Sequence, residues 1–296
     1  MGNNKGERAR DAASLPDDWW QHEVQCRQFS HTFGARVLAL QLSVEANGIL
    51  SDTIFTGWVM SHDRVLLWVT AGHVIDKIAH IRKAGGKVLR SSWLDSYPDR
   101  AAGFVPFDLD QLMVHSATEK GLDIGAAGIT GLTAENLLAN KQLKPVTAQM
   151  WMGIESAKPE GYYLIGVPEE LVSVRRRKVS GSRGECELSA DVVVLPVRHR
   201  PDFRATDGME PPDDPCLWWG ELLPWTGSAS GQPKSVRGMS GGLLLSIQRT
   251  PDGQGFRSYL FGVQSTWYPE KRIIGAVPIQ RLLEHFQTLV RKDSRT

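Results

Sequence analysis

From Ala35 onward the chain alternates short apolar runs with Gly, Pro, Asp and Ser. ARVLALQLSV, TIFTGWVM, RVLLWVT and GKVLRSSWL are rich in Val, Leu, Ile, Trp and Thr. LDIGAAGI, GYYLIGVP, LVSVRRRKV, DVVVLPV, GGLLLSIQ, YLFGVQSTW and RIIGAVPI continue the pattern. About eleven such runs, each bounded by turn residues, predict the short strands of an all-β barrel or sandwich. Two segments have helical spacing. LTAENLLANK (132–141) lies near the middle of the chain, where it could join two halves. PIQRLLEHFQTLVRK (278–292) places Ile279, Leu282, Leu283, Phe286, Leu289 and Val290 on one stripe, with Pro278 at the first turn. Residues 1–28 are polar and read as an arm of weak structure. The stretch 198–234 is rich in Pro, Asp and Gly around Trp218, Trp219 and Trp225, and reads as a long irregular insertion. No internal repeat is visible.

Composition removes several function classes. The 34 basic and 33 acidic residues leave a formal net charge of +1, so no global field recruits nucleic acid or an anionic membrane. The run Arg175-Arg176-Arg177-Lys178 sits in an alternating strand and reads as a solvated barrel face. Cys26, Cys186 and Cys216 are odd in number, lack metal-ligand spacing and imply no disulfide framework. The first residues are polar rather than an apolar signal segment, and no run has the length of a membrane span. The expectation is a reduced, cytoplasmic protein with no metal and no organic cofactor.

Acyl transfer needs a nucleophile, a base, a group that orients the base, and donors for the developing oxyanion. Ser240 lies in Gly238-Met239-Ser240-Gly241-Gly242, where glycines allow a sharp turn that leaves backbone N–H groups unpaired. The N–H groups of Gly238 and Ser240 could then converge on one oxygen. A Gly-rich turn entering the strand GGLLLSIQ is the plainer reading of the same residues. His73, in WVTAGHVI, stands where the strand RVLLWVT runs into a small-residue turn. The chain has eight histidines, so this one gains meaning only beside partners. Asp123 opens the strand LDIGAAGI, whose other positions are small or apolar. A carboxylate there is costly unless hydrogen-bonded, as an Asp behind an imidazole is. Asp108 and Asp110 compete for that role.

Taken together, TAGHV, GLDIGAAGI and GMSGG resemble the His, Asp and Ser segments of trypsin-like serine peptidases, in that family's order. YYLIGVP is similar to the strand and turn opening the family's second barrel. YLFGVQSTW with RIIGAVPIQRLL resembles its closing strands and helix. The likeness is to disulfide-free bacterial members. It implies a chymotrypsin-like fold of two antiparallel six-stranded barrels with a C-terminal helix. The peptidase domain would span 29–296, with a first barrel over about 29–130 and a linker over about 131–145. A second barrel would follow over about 146–278, then the helix over about 278–292. It also implies a serine endopeptidase using a His73-Asp123-Ser240 triad, an oxyanion hole from Gly238 and Ser240, and a polypeptide substrate.

Met239 stands where secreted trypsins carry an Asp that pairs with a newly cleaved N-terminus, so the resemblance implies no activation of that kind. Gln264, Ser265 and Thr266 would line the substrate channel and pair with an extended peptide. Lys234 would lie near the first specificity pocket, against basic and in favour of acidic side chains. Two other readings stand beside hydrolysis. One is a peptide-binding module on a peptidase scaffold. The other is a protease component gated by a protein partner within a bacterial stress or defence assembly.

Overall fold

Alternating apolar positions form eight strands in the first half: β1 (Leu38–Ala46), β2 (Ile49–Phe55), β3 (Trp58–His62), β4 (Val65–Thr70), β5 (Lys87–Asp95), β6 (Gly103–Pro106), β7 (Val114–Ser116) and β8 (Gly125–Ile129). The computed structural model describes residues 19–46, 48–62, 65–95, 103–106, 114–118, 122–129, 131–139, 143–152, 159–177, 185–205, 217–224, 235–250, 252 and 256–293. The eight strands make two four-stranded sheets, β2-β1-β5-β6 and β3-β4-β8-β7. Only Thr56 and Gly57 separate β2 from β3. The start of β1 follows that corner, through a bridge from Val37 to Trp58 and a 2.8 Å hydrogen bond from Leu38 N–H to the Gly57 carbonyl. Taken as one bent strand, β2–β3 joins the two sheets into one ring-like run: β6, β5, β1, β2–β3, β4, β8, β7. Residues 107–113, between β6 and β7, lie outside the described residues. The expected single six-stranded ladder is therefore realised, among the described residues, as two sheets joined at that corner. A small ring turns sharply, and bends and bulges take up that curvature. Leu38, Leu40, Leu42, Phe55, Val59, Trp68 and Trp93 pack together as the core of this half.

The second half contains β9 (Gly161–Gly166), β10 (Val172–Arg177), β11 (Glu185–Ala190), β12 (Val193–His199), β13 (Trp218–Leu222), β14 (Leu243–Arg249), β15 (Phe256–Tyr268) and β16 (Ile273–Pro278). Six of them close a barrel in the order β12-β13-β16-β15-β14-β9. Numbered within the closed barrel, these six strands follow the order 1-2-3-6-5-4. β13 corrects the reading of 198–234 as an insertion. Trp218 pairs with Ala276 and Leu222 with Val197, so this segment supplies a barrel strand held on both sides. Residues 206–216 and 225–234 lie outside the described residues. The arginine run is also placed differently from expectation. Arg175–Arg177 lie on β10, which among the described residues pairs with β11 alone as a separate hairpin, with Arg175 opposite Glu187 and Arg177 opposite Glu185; Lys178 lies outside the described residues.

Among the described residues four α-helices accompany the rings: α1 (Trp19–Gly34), α2 (Gly72–Lys83), α3 (Gly131–Ala139) and α4 (Ile279–Asp293). α3 and α4 lie where the periodicity places them. α1 corrects the weak arm over residues 1–28, since the chain is helical from Trp19; residues 1–18 lie outside the described residues. Cys26 and Phe33 are fully buried, and the Phe29 ring packs 5.0 Å from that of Tyr163 on β9. Burial of this aromatic face against the second ring outweighs the polar composition. One apolar cluster then runs through both halves, from Trp58, Met60 and Ile124 to Tyr163, Leu164, Met239 and Leu244. No helix among the described residues is long and apolar enough to cross a membrane.

Candidate active site

β4 ends at Thr70, Ala71 stays extended, and α2 begins at Gly72. Val74, Ile75 and Ile78 bury the inner face of α2, which leaves His73 on its outer face with a side chain 46% exposed. The first N–H groups of a helix have no partner within it, and Ala71 offers no side-chain cap. Asp123 fills that need from the loop before β8. Its Oδ1 accepts the His73 backbone N–H at 2.8 Å, and its Oδ2 lies 2.8 Å from His73 Nδ1. A carboxylate at a helix N-terminus is also favoured by the helix dipole. Because an ionised carboxylate only accepts, Nδ1 carries the proton and Nε2 keeps its lone pair in the neutral ring. The two segments approach closely because Gly72 and Gly125 flank the pair. A Cβ on Gly72 would sit 2.9 Å from the Ile124 carbonyl, and one on Gly125 would sit 3.0 Å from that of Ala71.

Ser240 lies in the turn before β14, between Gly238 at φ 86° and Gly241 at φ 94°. Both glycines occupy the left-handed region that a side chain disfavours. Met239 is fully buried, and its Cε approaches Gly166 of β9. Burying such a side chain contributes about 1.5–3 kcal/mol toward holding the turn down. The backbone donors of the turn divide cleanly. Arg237 N–H goes to Ser235 Oγ, Met239 N–H to the Val236 carbonyl, Gly241 N–H to that of Gln264, and Gly242 N–H to that of Met239. Among the described residues, Gly238 N–H and Ser240 N–H donate to nothing. The carbonyls beside them are engaged: Glu169 N–H bonds the Arg237 oxygen at 2.8 Å, and Thr56 N–H bonds the Gly238 oxygen at 2.9 Å. The Arg237 guanidinium meets the Glu169 carboxylate at 2.9 Å, an exposed pair that adds about 0–1 kcal/mol.

The turn rests on the first ring. A Cβ on Gly241 would lie 2.4 Å from both the Thr56 carbonyl oxygen and Thr70 Oγ1, and Thr70 is three residues before His73. The residue after Ser240 thus lies against the end of the strand that leads to His73, at the seam between the two halves. Among the described residues no hydrogen bond joins the Ser240 hydroxyl to the His73 ring, and such contacts commonly tighten only when substrate binds.

The strand expected to pair with a peptide has a different arrangement. Gln264, Ser265 and Thr266 are all buried, and β15 is irregular between Gln264 and Thr266. The Gln264 backbone is already used, accepting from Gly241 at 2.7 Å and donating to Gly242 at 2.9 Å, while its side-chain amide bonds the Thr266 carbonyl at 2.9 Å. Gln264 thus braces the Ser240 turn from behind. Lys234 lies outside the described residues. Among the described residues, no three His, Cys, Asp or Glu side chains come together as metal ligands would. Thr56, Thr70 and Glu169 touch or brace the site, yet sequence reading did not single them out. The one signal was Thr56 interrupting the apolar run of TIFTGWVM.

No protein-family model matches the chain, and no curated protein matches it. Solved structures do. The Rv3671c protease of M. tuberculosis in its active form is 15% identical over 89% of this chain and 82% of that chain, with a TM-score of 0.43. A catalytically inactive tobacco etch virus protease complexed with substrate is 14% identical over 83% of this chain and 80% of its own, with a TM-score of 0.34. The catalytically active form of that protease, complexed with product, is 13% identical over 94% of this chain and 82% of its own, with a TM-score of 0.37.

Proposed function

We propose that this chain is a chymotrypsin-like serine endopeptidase. The observation that carries the reading is the carboxylate-imidazole pair, Asp123 with His73, set across a seam from Ser240 in a turn where only the N–H groups of Gly238 and Ser240 lack partners between Arg237 and Gly242. His73 Nε2 takes the hydroxyl proton as Ser240 Oγ attacks the peptide carbonyl carbon. The resulting oxyanion accepts from the Gly238 and Ser240 N–H groups, each such donor contributing about 2.7–4 kcal/mol to the transition state. Asp123 holds the Nδ1–H tautomer and stabilises the imidazolium. That imidazolium gives its proton to the departing amine as the C–N bond breaks, leaving an acyl group on Ser240. Water, deprotonated by His73, then cleaves the ester and restores the hydroxyl.

The pinned carbonyls of Arg237 and Gly238 support a turn already shaped for catalysis without N-terminal cleavage, in keeping with Met239 packed in the core. The test is covalent labelling with a fluorophosphonate, beside cleavage of a peptide library. Wild type should be labelled at Ser240 and hydrolyse peptides, and Ser240→Ala should do neither. The unmade Ser240–His73 hydrogen bond favours a second reading, a peptide-binding module or a protease gated by a protein partner. Peptide binding with no label under any condition would sink the hydrolase and favour the module. Label appearing only with a partner would favour gating.

A further inference from the structure

We propose that Thr56 is a positioning residue that fixes the oxyanion turn of the second ring from the first, a proposal that rests on the peptidase reading above. Thr56 occupies the corner between β2 and β3 and is fully buried. Its hydroxyl accepts the Val167 N–H at 2.9 Å and donates its single proton to the Gly238 carbonyl at 2.8 Å. The Val167 carbonyl, at 3.2 Å, is the more distant of the two acceptors within reach. Thr56 N–H reaches the same Gly238 oxygen at 2.9 Å, and the Thr56 carbonyl accepts from Thr70 Oγ1 at 2.8 Å. One residue thus ties together three places: the end of β4, which leads into His73, the segment after β9, and the Ser240 turn.

The consequence falls on Gly238. Glu169 N–H holds the peptide on its N-terminal side through the Arg237 carbonyl, and Thr56 holds the one on its C-terminal side with two donors. Glycine crosses between backbone regions at little cost, so contacts rather than sterics must keep φ at 86°. If the Arg237–Gly238 peptide turned over, its carbonyl would replace the Gly238 N–H. The site would then present an acceptor to an anion. Backbone pairing alone leaves Gly238 O with one donor from the first ring. The hydroxyl supplies the second and couples it to Val167.

Thr56→Val keeps the shape and removes the hydroxyl, whereas Thr56→Ser keeps the hydroxyl. With a peptide that wild type cleaves, valine should lower kcat by about tenfold to a hundredfold with KM within about twofold, since the lost alignment acts on the transition state. Serine should stay within about threefold of wild-type kcat. In parallel, amide hydrogen exchange over residues 235–242 should quicken in the valine variant and not in the serine variant. Valine with kcat within about threefold of wild type and unchanged exchange overturns the proposal, as does serine falling as far as valine. If Thr56→Val does not fold, Thr56→Ala takes its place under the same criteria. Should wild type neither hydrolyse nor label, the peptidase reading fails, and the exchange comparison alone decides whether Thr56 fixes the turn.

Discussion

Replacing Asp123 by Asn tests the site most directly, because the structure dictates what the amide must do. Asp123 accepts two N–H groups, the His73 backbone amide through Oδ1 and the ring Nδ1–H through Oδ2, each at 2.8 Å. Asparagine has one accepting oxygen and one donating NH₂. The backbone amide cannot lose its proton, so the asparagine oxygen must face it and the NH₂ must face the ring. The ring can answer by moving its proton from Nδ1 to Nε2. That tautomer presents an N–H to Ser240 and cannot take its proton. The expected loss in kcat is about 10⁴-fold, the size of the corresponding loss in the Ser-His-Asp template. At 1.36 kcal/mol per tenfold this is about 5.4 kcal/mol of transition-state stabilisation. The fold should barely notice. Removing a partly exposed carboxylate from a helix N-terminus costs about 0.3–1 kcal/mol, which shifts Tm by roughly 1–4 °C for a chain of this size. Peptide turnover and thermal melting, measured on one preparation, separate the two effects. An asparagine variant keeping more than a tenth of wild-type kcat would refute the tautomer reasoning. So would a large loss of kcat accompanied by a collapse of Tm below the assay temperature.

Two further predictions concern the scaffold. Gly241→Ala places a methyl 2.4 Å from the Thr56 carbonyl and Thr70 Oγ1 at φ 94°, so backbone strain of about 1–2 kcal/mol adds to overpacking of about 1–3 kcal/mol. Thermal melting should show a clear drop and Ser240 labelling should be lost; an unchanged Tm would contradict the close packing of the rings. Burial holds the His199 imidazole below its ordinary pKa, partly offset by the Asp202 charge. A depressed histidine stabilises in its neutral form, so that stability is full above about pH 6.5 and falls as pH drops toward the folded value. His199→Phe keeps a ring against Trp218, which His199 stacks at 10°, and should lose less stability than wild type between pH 7.5 and 5 in urea titrations. An identical pH slope in both proteins would count against it.

Much of this arrangement was legible in the chain. The apolar runs located β1, β4, β5, β8, β9, β12, β14, β15 and β16, because each carries enough Val, Leu and Ile to form half-buried strands alone. β13 was hidden, since WWGEL is short and lies in a Pro- and Asp-rich stretch; its order comes from ladders on both sides, which periodicity does not record. α2 was missed because GHVIDKIAHIRK follows a strand directly and opens with β-branched Val74 and Ile75. His73, Asp123 and Ser240 were singled out as residue types within motifs, and the structure pairs the first two. The bidentate use of Asp123 and the split between paired and unpaired N–H groups belong to geometry. The bracing of Gly241 and Gly242 by the Gln264 backbone likewise belongs to geometry.

The late place of Gln264 and β16 in the chain bears on the order of events during synthesis. Synthesis proceeds from the N-terminus, and domains generally fold as they emerge. The sheets that position His73 and Asp123 can form while Ser240 has yet to be added. Even after Ser240 emerges, its turn lacks a backing until β15 delivers Gln264 and β16 completes the second barrel. On the peptidase reading, the polypeptide holds a base with nothing to activate for most of its synthesis. The proposed reaction then waits for the last strands to arrive.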